Sequence, residues 1–151
     1  MNLRTKIKRI TASVSLFLIV MTPVLAQEMV SIKGSTVNMR AGPSTTAKIL
    51  WELDKGYPLQ VLKRQGSWLQ VRDFENDRGW VARSLTQTVP HHVVKAKVTN
   101  IRQGPGTQHP IIGKAEHVEL LRTRGKKSDW VQVERSGGQT GWIAKRLLWG
   151  W

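Results

Sequence analysis

Asn38-Met39-Arg40-Ala41-Gly42-Pro43 returns 62 residues later as Asn100-Ile101-Arg102-Gln103-Gly104-Pro105. At the same offset Trp68-Leu69-Gln70-Val71 returns as Trp130-Val131-Gln132-Val133, and Gly79-Trp80-Val81-Ala82 as Gly141-Trp142-Ile143-Ala144. Any insertion in one copy is therefore cancelled before the next landmark, and the chain carries two copies of one folded unit. Helix signals are poor throughout. Short runs rich in β-branched and aromatic residues are punctuated every eight to twelve positions by Gly34-Ser35, Gly42-Pro43-Ser44, Gly56, Gly66-Ser67 and Asn76-Asp77. That spacing predicts a small all-β barrel or sandwich. Strands are expected near Val30 to Arg40, Ile49 to Leu53, Leu59 to Lys63, Trp68 to Asp73 and Gly79 to Ala82, with a helical turn at Arg83-Ser84-Leu85, and the second copy follows at the same offset.

Strand alternation sorts the repeated residues by face. Leu69 and Val71 share one face, as do Val131 and Val133; with Met39 and Ile101 they are the expected core. Trp68 and Gln70, and Trp130 and Gln132, fall on the opposite face. Trp80 and Trp142, each following a Gly in the last strand, are expected to fill the barrel.

Residues 1–26 read as a secretory signal peptide. Arg4, Lys6, Lys8 and Arg9 form a basic start, an apolar stretch runs from about Ala12 to Val24, and Val24-Leu25-Ala26 offers small residues before a cut at Gln27. The competing reading is a retained anchor, but Leu16 to Met21 is short against the roughly 20 apolar residues that spanning needs, and Pro23 ends it. The two units then occupy residues 27–88 and 89–151. With no cysteine in the chain, each folds by packing alone, and domains of about 60 residues are marginal. Thr86 to Pro90, five residues, reaches at most about 18 Å, so the units lie close together.

The chain carries 24 Lys/Arg against 10 Asp/Glu, a net charge of +14. The excess is uneven: residues 27–88 hold nine basic and six acidic residues, and residues 89–151 hold eleven and four. A basic exported protein is drawn to anionic envelope material. The export signal argues against nucleic acid as the partner.

The order N-x-R-x-G-P, apolar strand, W-x-x-V strand and closing G-W-[VI]-A resembles the bacterial SH3-like (SH3b) domain, present twice and covering essentially all of the chain after the signal peptide. The resemblance implies two small, partly open five-stranded barrels in tandem. It also implies a non-catalytic module that binds cell-wall peptidoglycan or assists envelope proteins. The copies differ in ways that put equal binding in question. Trp51 and Gly56-Tyr57-Pro58 stand where the second copy has Gly113 and Val118-Glu119-Leu120, and Asp73, Glu75 and Asp77 become Arg135, Gly137 and Gln139.

Several residues are candidates for ligand contact. Trp68 and Trp130 offer flat faces for a sugar ring or peptide, or else pack beneath a loop. Trp51 and Tyr57 are candidates to extend such a shelf in the first copy. Arg40 and Arg102 can present guanidinium groups to a carboxylate or phosphate, or tie their own loop to backbone carbonyls, which is the preferred alternative. Leu148-Trp149-Gly150-Trp151 has no counterpart in the first copy and either packs back onto the second barrel, the favoured outcome, or forms an aromatic tip.

Enzymatic chemistry is not expected. There is no thiol nucleophile; His91-His92 reads as a solvated linker pair with no partner for zinc; and Asp73, Glu75 and Asp77 read as solvated charge at a hairpin tip, short of a calcium loop. No cofactor or metal is expected. The expected function is that of an exported protein, periplasmic or else extracellular, which binds cell-wall peptidoglycan. The alternatives are an assembly module for another envelope protein and general adhesion to anionic surfaces.

Overall fold

A computed structural model describes residues 26–151. The expected signal peptide lies outside the described residues except for Ala26. Among the described residues, no helix is long and apolar enough to cross a membrane.

The first unit contains β1 (Met29–Ile32), β2 (Thr36–Arg40), β3 (Ile49–Asp54), β4 (Pro58–Gln65), β5 (Trp68–Arg72) and β6 (Arg78–Ala82), then a 3-10 turn at Arg83–Leu85 and β7 (Thr86–Gln87). The second contains β8 (His91–Val94), β9 (Val98–Arg102), β10 (Ile111–Glu116), β11 (Leu120–Lys127), β12 (Trp130–Glu134) and β13 (Thr140–Ala144), a 3-10 turn at Lys145–Leu147 and β14 (Leu148–Gly150). Each unit is one antiparallel sheet, in the order β3-β2-β6-β5-β4-β1-β7 and β10-β9-β13-β12-β11-β8-β14. The all-β class and the tandem SH3-like architecture are those expected.

The strand count differs from five. The long strand expected over Val30 to Arg40 breaks at Lys33–Ser35, because β1 pairs with β4 whereas β2 pairs with β3 and the chain must turn between them. After the 3-10 turn a further short strand returns to pair with the first, β7 on β1 and β14 on β8. The sheets stay partly open: β2 meets β6 at the single register pair Arg40–Trp80, and β9 meets β13 at Arg102–Trp142. Register shifts at Met39/Arg40 and Val61/Lys63, matched by shifts at Ile111/Gly113 and Thr123/Gly125, bend the strands around the core at equivalent places in both copies.

Leu69, Val71 and Met39, with Val131, Val133 and Ile101, are fully or almost fully buried, as alternation predicted. Trp80 and Trp142 do not fill the barrel. The inward position belongs to the preceding glycine: a Cβ on Gly79 would stand 2.5 Å from Met39 Cγ and 3.0 Å from the Arg40 carbonyl oxygen, and one on Gly141 would strike Ile101 and the Arg102 carbonyl. The Gly-Trp pair thus puts an absent side chain against the core and the indole on the other face. A glycine is needed here for close strand approach.

The units touch. Ser31 Oγ donates to the Val89 carbonyl at 2.8 Å, Leu120 of the second unit packs against the first core, and the Phe74 and His117 rings meet edge-on at 5.9 Å. This contact adds apolar burial to two sheets that are each small.

Candidate functional site

The outer face of each unit is built by one cross-strand row. Arg40 pairs with Trp80, Trp80 with Gln70, and Gln70 with Lys63; in the second unit Arg102 pairs with Trp142, Trp142 with Gln132, and Gln132 with Gly125. Two residues along, Trp68 lies opposite Ala82, and Trp130 opposite Ala144. Alternation places both indoles of a unit on this face as diagonal neighbours, about 7–8 Å apart at the backbone. All four are half-buried. Trp68 and Trp130 therefore stand where the sequence placed them, and Trp80 and Trp142 join them.

Trp51 and Tyr57 do not. Trp51 registers with core-facing Met39 on edge strand β3 and is 53% exposed, on the side opposite Trp68. Tyr57 belongs to the first core, and burial, followed by the charges of Asp73, Glu75 and Asp77, pushes its hydroxyl well above the usual tyrosine range. Together with Phe74 and Val118, the two line a small crevice of about 190 Å³ beside the junction of the units. The Asp73 carboxylate is buried, not solvated: it accepts the backbone N–H groups of Glu75 and Asp77, both at 2.9 Å, and burial raises its pKa. Carboxylate oxygens of all three acids lie within 4.8 Å of one another in this turn.

The arginines of the repeated motif tie down their own loops. Arg40 Nη1 donates to the Ala47 carbonyl at 2.8 Å, and Arg102 Nη1 to the carbonyls of Thr107 and His109, both at 2.9 Å. This recurrent clamp explains why Arg occupies that place in each motif.

In the second unit the outer face deepens into a groove of about 930 Å³. Asn100, Arg102, Trp130 and Ala144 of the outer face line it together with Trp149 and Trp151. The tail packs back, as favoured: β14 sets Leu148 against Val94, Trp149 against Val93 and Gly150 against His92. Gly150 makes this possible, since a Cβ there would strike the His91 carbonyl. At the corresponding place in the first unit stands Thr88, and β7 stops one residue earlier, at Gln87. Four cations, Lys95, Arg102, Lys145 and Arg146, line the groove against one side-chain carboxylate, Asp129.

The histidine pair is not a solvated linker. Both residues lie in β8; His91 is half-buried and His92 is 2% exposed. His92 Nδ1 lies 2.6 Å from Thr123 Oγ1, and the ring also bonds the Trp151 backbone. Burial, reinforced by Lys126 and outweighing the Trp151 bond, pushes the ring pKa down to about 4, so the imidazole is neutral at pH 7. Sequence reasoning passed over His92 and Thr123. The signal was present in the repeat: 62 residues earlier stand Val30 and Val61.

Residues 33–87 and 95–150 both match the bacterial SH3 domain family. The chain belongs to that family. The chain is 27% identical over 134 residues to a protein of Bacillus subtilis (strain 168) named "Putative N-acetylmuramoyl-L-alanine amidase YrvJ", a match covering 82% of this chain and 26% of that protein. The chain thus spans about a quarter of the length of this curated relative. Among solved structures, NlpC1 from Trichomonas vaginalis aligns over 90% of this chain and 50% of its own at 13% identity and a TM-score of 0.38. An NlpC/P60 family protein from Bacillus cereus ATCC 10987 aligns over 82% and 56% at 13% identity and a TM-score of 0.39.

Proposed function

We propose that this protein is an exported, non-enzymatic binding protein whose two SH3 domains hold cell-wall peptidoglycan. The observation that carries the proposal is the outer face built twice by the same register: two indoles beside an arginine-clamped loop, on a chain of strong positive charge. Indole faces stack on sugar rings and peptide planes, and the basic surroundings attract the carboxylates that peptidoglycan peptides carry. The name of the curated relative refers to the junction of wall sugar and peptide, which agrees with a wall ligand here. The absence of cysteine supports a binding role over thiol catalysis. Two sites on one polymer, joined by a short connection, raise the effective concentration of the second contact.

Co-sedimentation of the purified protein with insoluble wall sacculi across a salt series tests the proposal. Wild type pellets at moderate salt, and the Trp68→Ala, Trp130→Ala double variant does not. Failure of wild type to pellet overturns wall binding. Binding that vanishes steeply with salt and ignores both Trp substitutions indicates general adhesion instead.

A further inference from the structure

The two units share a fold but not the polarity of their interiors beneath the outer face. At three positions the first unit has Val30, Val37 and Val61, and the second has His92, Thr99 and Thr123. His92 and Thr99 are 2% and 4% exposed, and both line the groove of the second unit. Burying polar groups is unfavourable unless they are partnered. His92 and Thr123 partner each other, and the ring holds the backbone of Trp151, so this pair fixes one wall of the groove. Thr99 Oγ1 is different: it is buried and, among the described residues, has no hydrogen-bond partner. A valine works at the matching place in the first unit, so a fold of this kind does not require the hydroxyl.

We propose that the groove of the second unit is a dedicated site for a short carboxylate-bearing peptide of the kind that hangs from the peptidoglycan glycan, and that the first unit lacks it. The proposal rests on the wall-binding function above and names the part of the wall recognised. Lys145 and Arg146 receive the carboxylate, with Asp129 the single opposing side-chain charge. Trp130, Trp149 and Trp151 supply apolar faces to the peptide body. Thr99 supplies a hydroxyl that can both donate and accept. In the first unit, Gln87 and Val89 stand where Trp149 and Trp151 stand in the second, so the aromatic wall is missing there.

Calorimetric titration with a disaccharide-tetrapeptide, its fully amidated counterpart and the peptide-free disaccharide tests this. The carboxylate form binds wild type, the amidated form binds about tenfold more weakly, and the disaccharide alone gives no saturable heat. Thr99→Val weakens binding of the carboxylate form about tenfold while raising the melting temperature by about 4 °C, because a buried unpartnered hydroxyl is removed. Lys145→Gln with Arg146→Gln weakens binding similarly, and Lys48→Gln, a charge removed in the first unit, leaves it unchanged. The gain in melting temperature shows that Thr99→Val is folded, so a loss of affinity cannot come from unfolding. Wild-type affinity in Thr99→Val, equal affinity for the amidated form, or no binding of the tetrapeptide form each overturns the proposal. Sacculus sedimentation run in parallel separates the two levels. If sacculi still pellet the protein while the groove variants behave as wild type, wall binding stands and the groove assignment falls.

Discussion

Acid should loosen the second unit through His92, and the size of the effect follows from its surroundings. The neutral ring sits between Thr123 Oγ1 and the Trp151 backbone, with Lys126, Lys145 and His91 adding positive charge around it. Burial is the largest cause of its low pKa, about 4 against 6.5 for an unperturbed histidine. Between those two values the unfolded chain holds a proton that the folded chain refuses, so the unfolded state binds more protons and falling pH favours it. This contribution is complete above about pH 6.5 and is lost as pH falls toward 4. At pH 4.5 linkage gives a loss of about 2.5 kcal/mol relative to pH 8, a large share of the few kcal/mol that a small domain possesses. Other groups titrate in the same window: His91, also depressed by burial, adds to the loss, and Asp73, raised by burial, opposes it. A variant therefore isolates the His92 contribution. His92→Val with Thr123→Val restores the apolar pair that the first unit has at Val30 and Val61. Urea unfolding at pH 8 and pH 4.5, followed by tryptophan emission, should show an acid-induced loss about 2.5 kcal/mol smaller in the double variant than in wild type. Equal losses in the two proteins would refute the burial argument.

Three further outcomes follow from local geometry. Gly79→Ala drives a methyl group into Met39 and the Arg40 carbonyl and should cost about 2 kcal/mol in thermal or urea unfolding. Val118 has φ 66°, in the left-handed region that its counterpart Gly56 also occupies at 87°; Val118→Gly should therefore gain about 1 kcal/mol, measured in the same way. Arg40→Met removes the clamp on the Ala47 carbonyl at a cost of about 1 kcal/mol, and amide exchange should accelerate in the loop at residues 41–48 with little change in β5.

The repeat made the fold legible because strand alternation depends on residue type at every second position, and the two copies report the same alternation independently. Leu69 with Val131 and Val71 with Val133 needed nothing else. Trp80 was misplaced for a physical reason. Large apolar side chains are ordinarily interior, but here the strands approach so closely that only Gly79 fits inward, and the indole takes the next position along. Tyr57, expected to extend the aromatic shelf, was misplaced because it stands in the turn between β3 and β4, which folds it under the core and where strand alternation does not decide the face. The groove was out of reach for a different reason. It depends on where the tail docks, and docking depends on Gly150 approaching the backbone of β8, a contact with no local sequence pattern.

A duplicated chain is its own control, and this changes how its residues should be weighed. Positions that agree between the copies, such as the arginines that clamp their loops and the Gly-Trp pairs that let strands approach, are adequately explained by what the fold needs. Positions that disagree are free of that explanation, because the other copy folds without them. His92, Thr99, Thr123, Trp149 and Gly150 all disagree with the first unit. All but Thr123 line one groove, and Thr123 holds the ring of His92. Independent drift would scatter such changes over the surface, where substitution costs least. Instead two of them put polar groups into a nearly closed interior, one without a partner among the described residues. A destabilising change concentrated beside a concave, basic, aromatic surface is the pattern expected where stability is given up for recognition.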